Sequence, residues 1–453
     1  MKKNDLITIE ITDVMLNGSG VGHYDGLAVF VPATVTGDVV LAHILKVKSN
    51  VAYAKIEKII EPSDKRREIL CDSFLKCGGC AFRHIKYSEE LKLKENAVQN
   101  NLKRIGGVEP SFEPITALDE SGYRNKCQYP VAIDKNGEVL IGFYSEHSHR
   151  VVNCPNCALQ PMEFSKIVKV FKEFLKENNI SIYNEETAKG LVRHLYIRKA
   201  TVTGEIMVSV VINGDKLPFS EKLIESLKEL LKDSFCSFQI NINKKKTNVI
   251  LGDKNVTLYG NDYITDILCG VKVRISPLSF YQVNHDTCEL LYKKAAEYAE
   301  VEGKTVLDLY CGAGTIGLSL ANRAKKVIGV EIIPEAIEDA KFNAKQNGIE
   351  NCEFICADAK KAAQMLEADG LKPDVVIVDP PRKGCEESLI DIICNDFGPE
   401  RVVYVSCDSA TLARDCKIFE SKGYIAQKCA TFDMFPRTSH VETVIRFERQ
   451  LEN

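Results

Sequence analysis

Cys407 closes the apolar run RVVYVSC and is followed at once by DSATLARD, which opens as a helix with Asp408 or Ser409 as a good cap. A thiol at a helix amino terminus meets the positive end of the helix dipole, which is expected to lower its pKa from about 8.5 toward neutrality and supply thiolate. That is a nucleophile's setting; the plainer reading is a small residue packing a strand end. The preceding buried run ends in a second reactive-looking stretch, VDPPRKG at 378–384. Ligands of open parallel sheets sit at such carboxyl ends.

A third strand end carries Gly312, Gly314 and Gly317 in LDLYCGAGTIGLSLA, directly before a helix. Glycine there lets a ligand approach the backbone, and the helix amino terminus favours negative charge. Glu331 closes the next strand, where a carboxylate hydrogen-bonds ribose hydroxyls. The spacing is the dinucleotide fingerprint, so nicotinamide and S-adenosylmethionine enzymes both fit it. A dehydrogenase, however, has no need of a cysteine at the neighbouring strand end.

Five further cysteines cluster away from these motifs: Cys71, Cys77 and Cys80 in CDSFLKCGGC, and Cys154 and Cys157 in NCPNC. Two C-x-x-C pairs are how a zinc ribbon holds its ion, and four thiolates equally satisfy an iron–sulfur cluster. Spacing alone does not choose between the metals. The five-residue gap between Cys71 and Cys77 does exclude the radical S-adenosylmethionine enzymes, which use three there.

The elements that must position these residues fall into three regions. Residues 1–60 read as short alternating strands broken at NGSG, YDG and TGD, the pattern of a small closed barrel of the oligonucleotide-binding type. Residues 61–268 read as an α+β middle domain. YSEELKLKENAVQNNLKRIGG and FSKIVKVFKEFLKENN are its helices, LVRHLYIRKATVTGEIMVSVVIN is a strand pair, and the clustered cysteines lie in loops. In 269–453 the continuous apolar runs TVLDLY, KVIGVEI, CEFICAD, DVVIVD and RVVYVSC alternate with helices, as in a doubly wound α/β domain.

Composition bounds the rest. A chain of 453 residues suits about three domains, and neither a signal peptide nor a membrane-length apolar run is legible, so the cytoplasm is the expected compartment. Most of the 17 cysteines are then expected to be reduced and packed in cores. A net charge of -4 argues against a surface coated in phosphate-binding residues while leaving room for local basic patches; the lysines of KVKSNVAYAKIEK and of NKKK at 243–246 read as solvated faces.

DPPRKG, YVSCDSATLARD, SHVETVIRF and SFYQVNHDT together resemble the RNA uracil-5 methyltransferases that use S-adenosylmethionine, over nearly the full chain. The barrel then looks like a TRAM domain, and CDSFLKCGGC has the spacing of the family's [4Fe-4S] cluster. The resemblance implies that Cys407 attacks carbon 6 of uracil and that Glu442 removes the proton from carbon 5. It implies cofactor contacts from Gln282, Tyr310, Glu331 and Asp379, with Asp358 near the adenine, Thr315 as a further candidate where relatives can carry a polar amide, and Arg382 on RNA phosphate or the uracil edge. Its cluster ligands carry over to Cys71, Cys77, Cys80 and Cys157, leaving Cys154 spare. RNA is the implied partner, with the target base flipped out, and no membrane or protein partner is implied.

Within the family, a TRAM-like barrel plus a cluster favours 23S ribosomal RNA over transfer RNA as substrate. A cytosine-5 methyltransferase is the neighbouring enzyme class, but its RNA members commonly carry a cysteine where this chain has Arg382. A non-catalytic ribosomal RNA-binding factor is the reading from outside enzymology. Cys407 and Glu442 in full motif context speak against it.

Overall fold

Along Leu6–Val14 buried isoleucines alternate with exposed polar residues, and the same rhythm in four more strands closes a barrel. Its order is Leu6–Val14, Ser19–Tyr24, Leu27–Pro32, Val51–Glu61, Val39–Val47, and the last pairs back onto the first. Asp25 and Gly26 both take positive φ, the two-residue turn that joins Ser19–Tyr24 to Leu27–Pro32. The computed structural model describes residues 1–146 and 148–450, and among them no helix is long and apolar enough to cross a membrane.

The middle sheet has seven strands in the order Lys254–Gly260, Phe235–Ile242, Ile206–Ile212, Val192–Lys199, Lys126–Ile133, Val139–Tyr144, Val151–Asn153. The helix Met162–Glu177 buries Phe164, Ile167, Val168, Phe171, Phe174 and Leu175, a stripe at helical spacing, in the core of this sheet. Each of these side chains contributes roughly 1.5–3 kcal/mol of burial. Tyr196 and Met207, on neighbouring strands of the sheet, join the core of the C-terminal domain instead.

The C-terminal sheet runs Cys352–Cys356, Lys326–Glu331, Thr305–Leu309, Val375–Val378, Arg401–Ser406, Glu442–Arg449, Tyr424–Phe432, with the two-residue strand Ser111–Phe112 at its end. The first five strands are parallel, and Glu442–Arg449 is antiparallel to both its neighbours. Chain order reverses between Thr305–Leu309 and Val375–Val378, opening a crevice at their carboxyl ends.

Parts of the region 61–268 pack in the C-terminal core. The helix Tyr87–Asn101 continues as a wider turn, Leu102–Gly106, and its Val98 and Leu102 join the C-terminal core. The division expected at 268/269 falls in the two-residue turn Cys269–Gly270 of the hairpin Ile264–Leu268/Val271–Ile275, whose buried residues lie in the same core. Local sequence pattern does not encode which surface either one covers.

A buried ionic group ties Tyr87–Asn101 to the loop that precedes Glu442. Lys94 Nζ donates to Glu90 at 2.8 Å and to Asp433 at 2.7 Å, and Arg437 Nη1 donates to Glu90 at 3.1 Å. All four side chains are fully buried, so each charge depends on the others for compensation.

Candidate active site

Register brings Cys407 and Glu442 together. Ser406 pairs with Thr443 between the antiparallel strands Arg401–Ser406 and Glu442–Arg449. One step further along that register come Glu442 and Cys407, and the Glu442 carboxyl acts electrostatically on the Cys407 thiol. Glu442 is 5% exposed and Cys407 half-buried.

Asp408 is the cap of the helix Ser409–Ser421, accepting from the backbone N–H of Ala410 and Thr411 at 3.0 Å. The DPPRKGC loop is locked to this helix. Asp415 accepts from the backbone N–H of Cys385 at 2.8 Å and from the Tyr404 hydroxyl at 2.7 Å, and Arg414 donates to the carbonyl oxygens of Lys383 and Cys385. These contacts explain the arginine and aspartate of SATLARD as positioning groups.

The expected depression of the Cys407 pKa is overturned. Burial, reinforced by the carboxyl groups of Glu442 and Asp379, pushes the thiol up to about 11, and the Arg382 guanidinium only partly offsets this. The helix dipole is worth fractions of a kcal/mol near solvent, and loss of hydration outweighs it. Burial and Asp379 hold Glu442 up at about 8, and burial alone holds Asp379 at about 7. Alkylation of Cys407 by iodoacetamide in the free protein is therefore expected to be slow at neutral pH and to rise toward pH 11. Arg382→Ala should shift that rise further upward. A midpoint near the ordinary thiol value of about 8.5, read by mass spectrometry of the Cys407 peptide, contradicts this account.

At the crevice, Tyr310 follows Thr305–Leu309 with φ of 66°, a left-handed conformation that a bulky residue holds at a cost of order 1 kcal/mol. Glu331 is pre-oriented by three backbone N–H groups, those of Gly312 at 3.2 Å, Ile332 at 2.8 Å and Ile333 at 2.9 Å. A Cβ on Gly317 would stand 2.9 Å from Val327 Cγ1 and 3.0 Å from Asp308 Oδ2, so the glycine loop needs that residue for close packing. Asp379 follows Val378, and its N–H donates to the Leu309 carbonyl at 3.3 Å. Gln282 lies on the loop entering the helix His285–Ala299, where its carbonyl accepts from Asn125 at 2.9 Å. Asp358 caps the helix Ala359–Ala368, and the Thr315 hydroxyl lies 3.2 Å from that of Tyr292.

Two residues were not singled out from the sequence. Asp308 is a fully buried acid inside the LDLY run; burial pushes it to about 7, and it accepts from the Gly317 N–H at 3.0 Å. A carboxylate interrupting an apolar strand was its signal. His440, in SHVETV itself, accepts at Nε2 from Arg382 Nη2 at 3.2 Å.

The clustered cysteines stand apart from this centre. Cys77 lies within electrostatic reach of Cys71, Cys80 and Cys154, and Cys80 of Cys71 and Cys157, while Cys154 and Cys157 share a hydrogen bond that lowers the pKa of Cys154 and raises that of Cys157. Among the described residues no group of three or more Cys, His, Asp or Glu is placed to hold a metal ion. The loop is a junction: its Ala81 and Phe82 N–H groups donate to the Arg437 carbonyl, Gly78 N–H to Tyr144, and His84 meets Thr34 of the barrel at 3.1 Å.

Comparison with known proteins fits this geometry. Residues 86–450 match the tRNA (uracil-5-)-methyltransferases, and residues 2–56 match the TRAM domain. The chain belongs to the tRNA (uracil-5-)-methyltransferase family. Relatives named as uncharacterized RNA methyltransferases include one from Clostridium tetani, 44% identical over 98% of this chain and 96% of its own, and one from Clostridium acetobutylicum, 46% identical over 99% and 98%. A crystal structure of a Pyrococcus abyssi tRNA (uracil-54, C5)-methyltransferase with S-adenosyl-L-homocysteine matches with a TM-score of 0.77 and 28% identity, over 97% of this chain and 99% of that one. At the level of the family, the protein is an S-adenosylmethionine-dependent RNA methyltransferase with an N-terminal TRAM barrel.

Proposed function

We propose that the protein methylates carbon 5 of a uridine in 23S ribosomal RNA through a covalent Cys407 adduct. The observation that carries this reading is the register that sets Glu442 against Cys407, at a strand edge shared with Asp379 and Arg382. Carbon 5 of uracil is a poor nucleophile. Addition of the Cys407 sulfur to carbon 6 turns the ring into an enolate whose carbon 5 can take a methyl group. S-adenosylmethionine, when bound, supplies that methyl group as an electrophile. Glu442 then accepts the proton from carbon 5, the carbon 6–sulfur bond breaks, and the 5,6 double bond returns.

Glu331, with its carboxylate already held by three N–H groups, suits a ribose, and Tyr310, Gln282 and Asp379 are the other proposed cofactor contacts. Asp358, Thr315 and Arg382 complete the proposed set, Arg382 on RNA. The domain boundaries at about 60 and 268 describe the functional parts as proposed: a barrel and a middle domain that hold RNA, and a methyltransferase domain.

The cysteine loop fits a [4Fe-4S] cluster in donor type, with Cys71, Cys77, Cys80 and Cys157 as ligands and Cys154 spare. Its role in this reading is to hold the junction of the three regions. Iron and sulfide analysis of protein purified without oxygen is expected to give about four of each per chain, the content of one such cluster; a colourless protein with one zinc sinks this assignment.

Ribosomal RNA is favoured by the barrel together with the cysteine loop. Transfer RNA is the second reading, favoured by the substrate in the name of the Pyrococcus abyssi relative. Mapping 5-methyluridine in both RNAs from cells with and without the gene is expected to show a site lost from 23S RNA. Loss confined to transfer RNA would replace the substrate, and no loss in either would remove the function.

A further inference from the structure

A second group of polar side chains lies where the middle sheet meets the C-terminal domain. Arg124 and Lys126 are two residues apart as the chain enters the strand Lys126–Ile133, so they share a face. Arg198 lies directly opposite Lys126 on the antiparallel neighbour, putting a third cation on that face. Like charges placed directly opposite destabilise a sheet, so the arrangement needs a reason.

Arg198 has one within the fold. Fully buried, it donates to the carbonyl oxygens of Ser276, Ser279 and Tyr281 and so supports the loop that carries Gln282. Among the described residues no carboxylate pairs with Arg124 or Lys126. Some surface lysines are neutralised, Lys244 by Asp215 and Lys245 by Asp253. Burial and the two flanking guanidinium groups lower Lys126 to about 8, the state of an ammonium lacking its counter-ion.

The location bears on methyl transfer. Arg124 forms a backbone bridge with Asn284, and Asn125 bonds through its main chain to Val283 and through its side chain to Gln282. Arg124 is also within electrostatic reach of His440, which holds Arg382. A line of cations, Lys126, Arg124 and Arg382, thus runs along the domain junction to Cys407.

We propose that Arg124 and Lys126 form a phosphodiester site that seats the RNA backbone beside the target uridine, at the mouth of the Cys407 centre. This rests on the RNA-methylating reading for its substrate class and concerns residues that the reaction itself does not use. A flipped nucleotide leaves its flanking phosphates exposed, and two unpaired cations at the entrance hold them in place.

Fluorescence anisotropy of a labelled single-stranded oligouridylate, titrated against salt with the full chain, tests the site. Lys126→Gln and Arg124→Gln are each expected to weaken binding about threefold to tenfold and to reduce the log–log salt slope by about 0.7, with twice that reduction in the double variant. Lys126→Arg should restore the slope. The oligouridylate should also slow acetylation of Lys126, while inorganic phosphate at the same phosphate concentration should not.

An unchanged slope in single variants that melt like the wild type overturns the proposal. Equal protection by inorganic phosphate overturns it too, because the site is then one for small anions. Binding requires no turnover, so a protein that holds oligouridylate through these residues yet methylates no RNA keeps the site and loses the methyl-transfer reading.

Discussion

Cys407→Ala is expected to lower methyl transfer by at least about 10⁴-fold, the scale on which loss of a covalent nucleophile acts, while leaving RNA binding intact. The side chain is half-buried at a strand end, outside the apolar core clusters, so the variant should fold. The wild-type protein, given RNA with 5-fluorouridine at the target, should form a complex that survives denaturation. Fluorine on carbon 5 cannot leave as the proton does, so the sulfur stays bonded to carbon 6. Residual methylation by Cys407→Ala, or no such complex with the wild type, would remove covalent catalysis from this centre.

Glu442→Gln separates the two halves of the reaction. Glutamine cannot accept the carbon 5 proton, so methyl transfer should proceed once and the methylated RNA should remain attached to Cys407. Turnover should fall by about 10²–10⁴-fold, the usual worth of a general base. The sign of the pH effect follows from the raised pKa of Glu442, about 8: the carboxyl is mostly neutral below that value and ionised above it. Elimination by the wild type should therefore speed up as pH rises through 8, and the variant should lack that dependence. Removing this carboxyl should also lower the Cys407 pKa and hasten its alkylation, since Glu442 helps to push the thiol up. Normal turnover by Glu442→Gln would assign the base elsewhere. Loss of turnover without a trapped complex would place Glu442 before methyl transfer.

The strand-end motifs were legible because each is local. An apolar run ending in Asp379, Cys407 or the glycine loop announces a buried strand whose last residue faces a ligand crevice, and Asp408 announces the helix that follows. The barrel was equally legible in its alternation and turns. Glu442 carried no such local signal apart from its motif. Its place against Cys407 depends on the register of a strand that returns from the far edge of the sheet.

Periodicity also left undecided which surface an amphipathic element covers. Tyr87–Asn101 and the strand Ile264–Leu268 therefore read as middle-domain elements but pack in the C-terminal core. By itself, the sequence determined the strand ends, the order of elements and the residue types available for chemistry. Tertiary structure decided which of those residues meet, how far burial raises the Cys407 and Glu442 pKa values, and that among the described residues Arg124 and Lys126 have no carboxylate partner. Register and hydration depend on contacts between residues distant along the chain, and no local pattern encodes them.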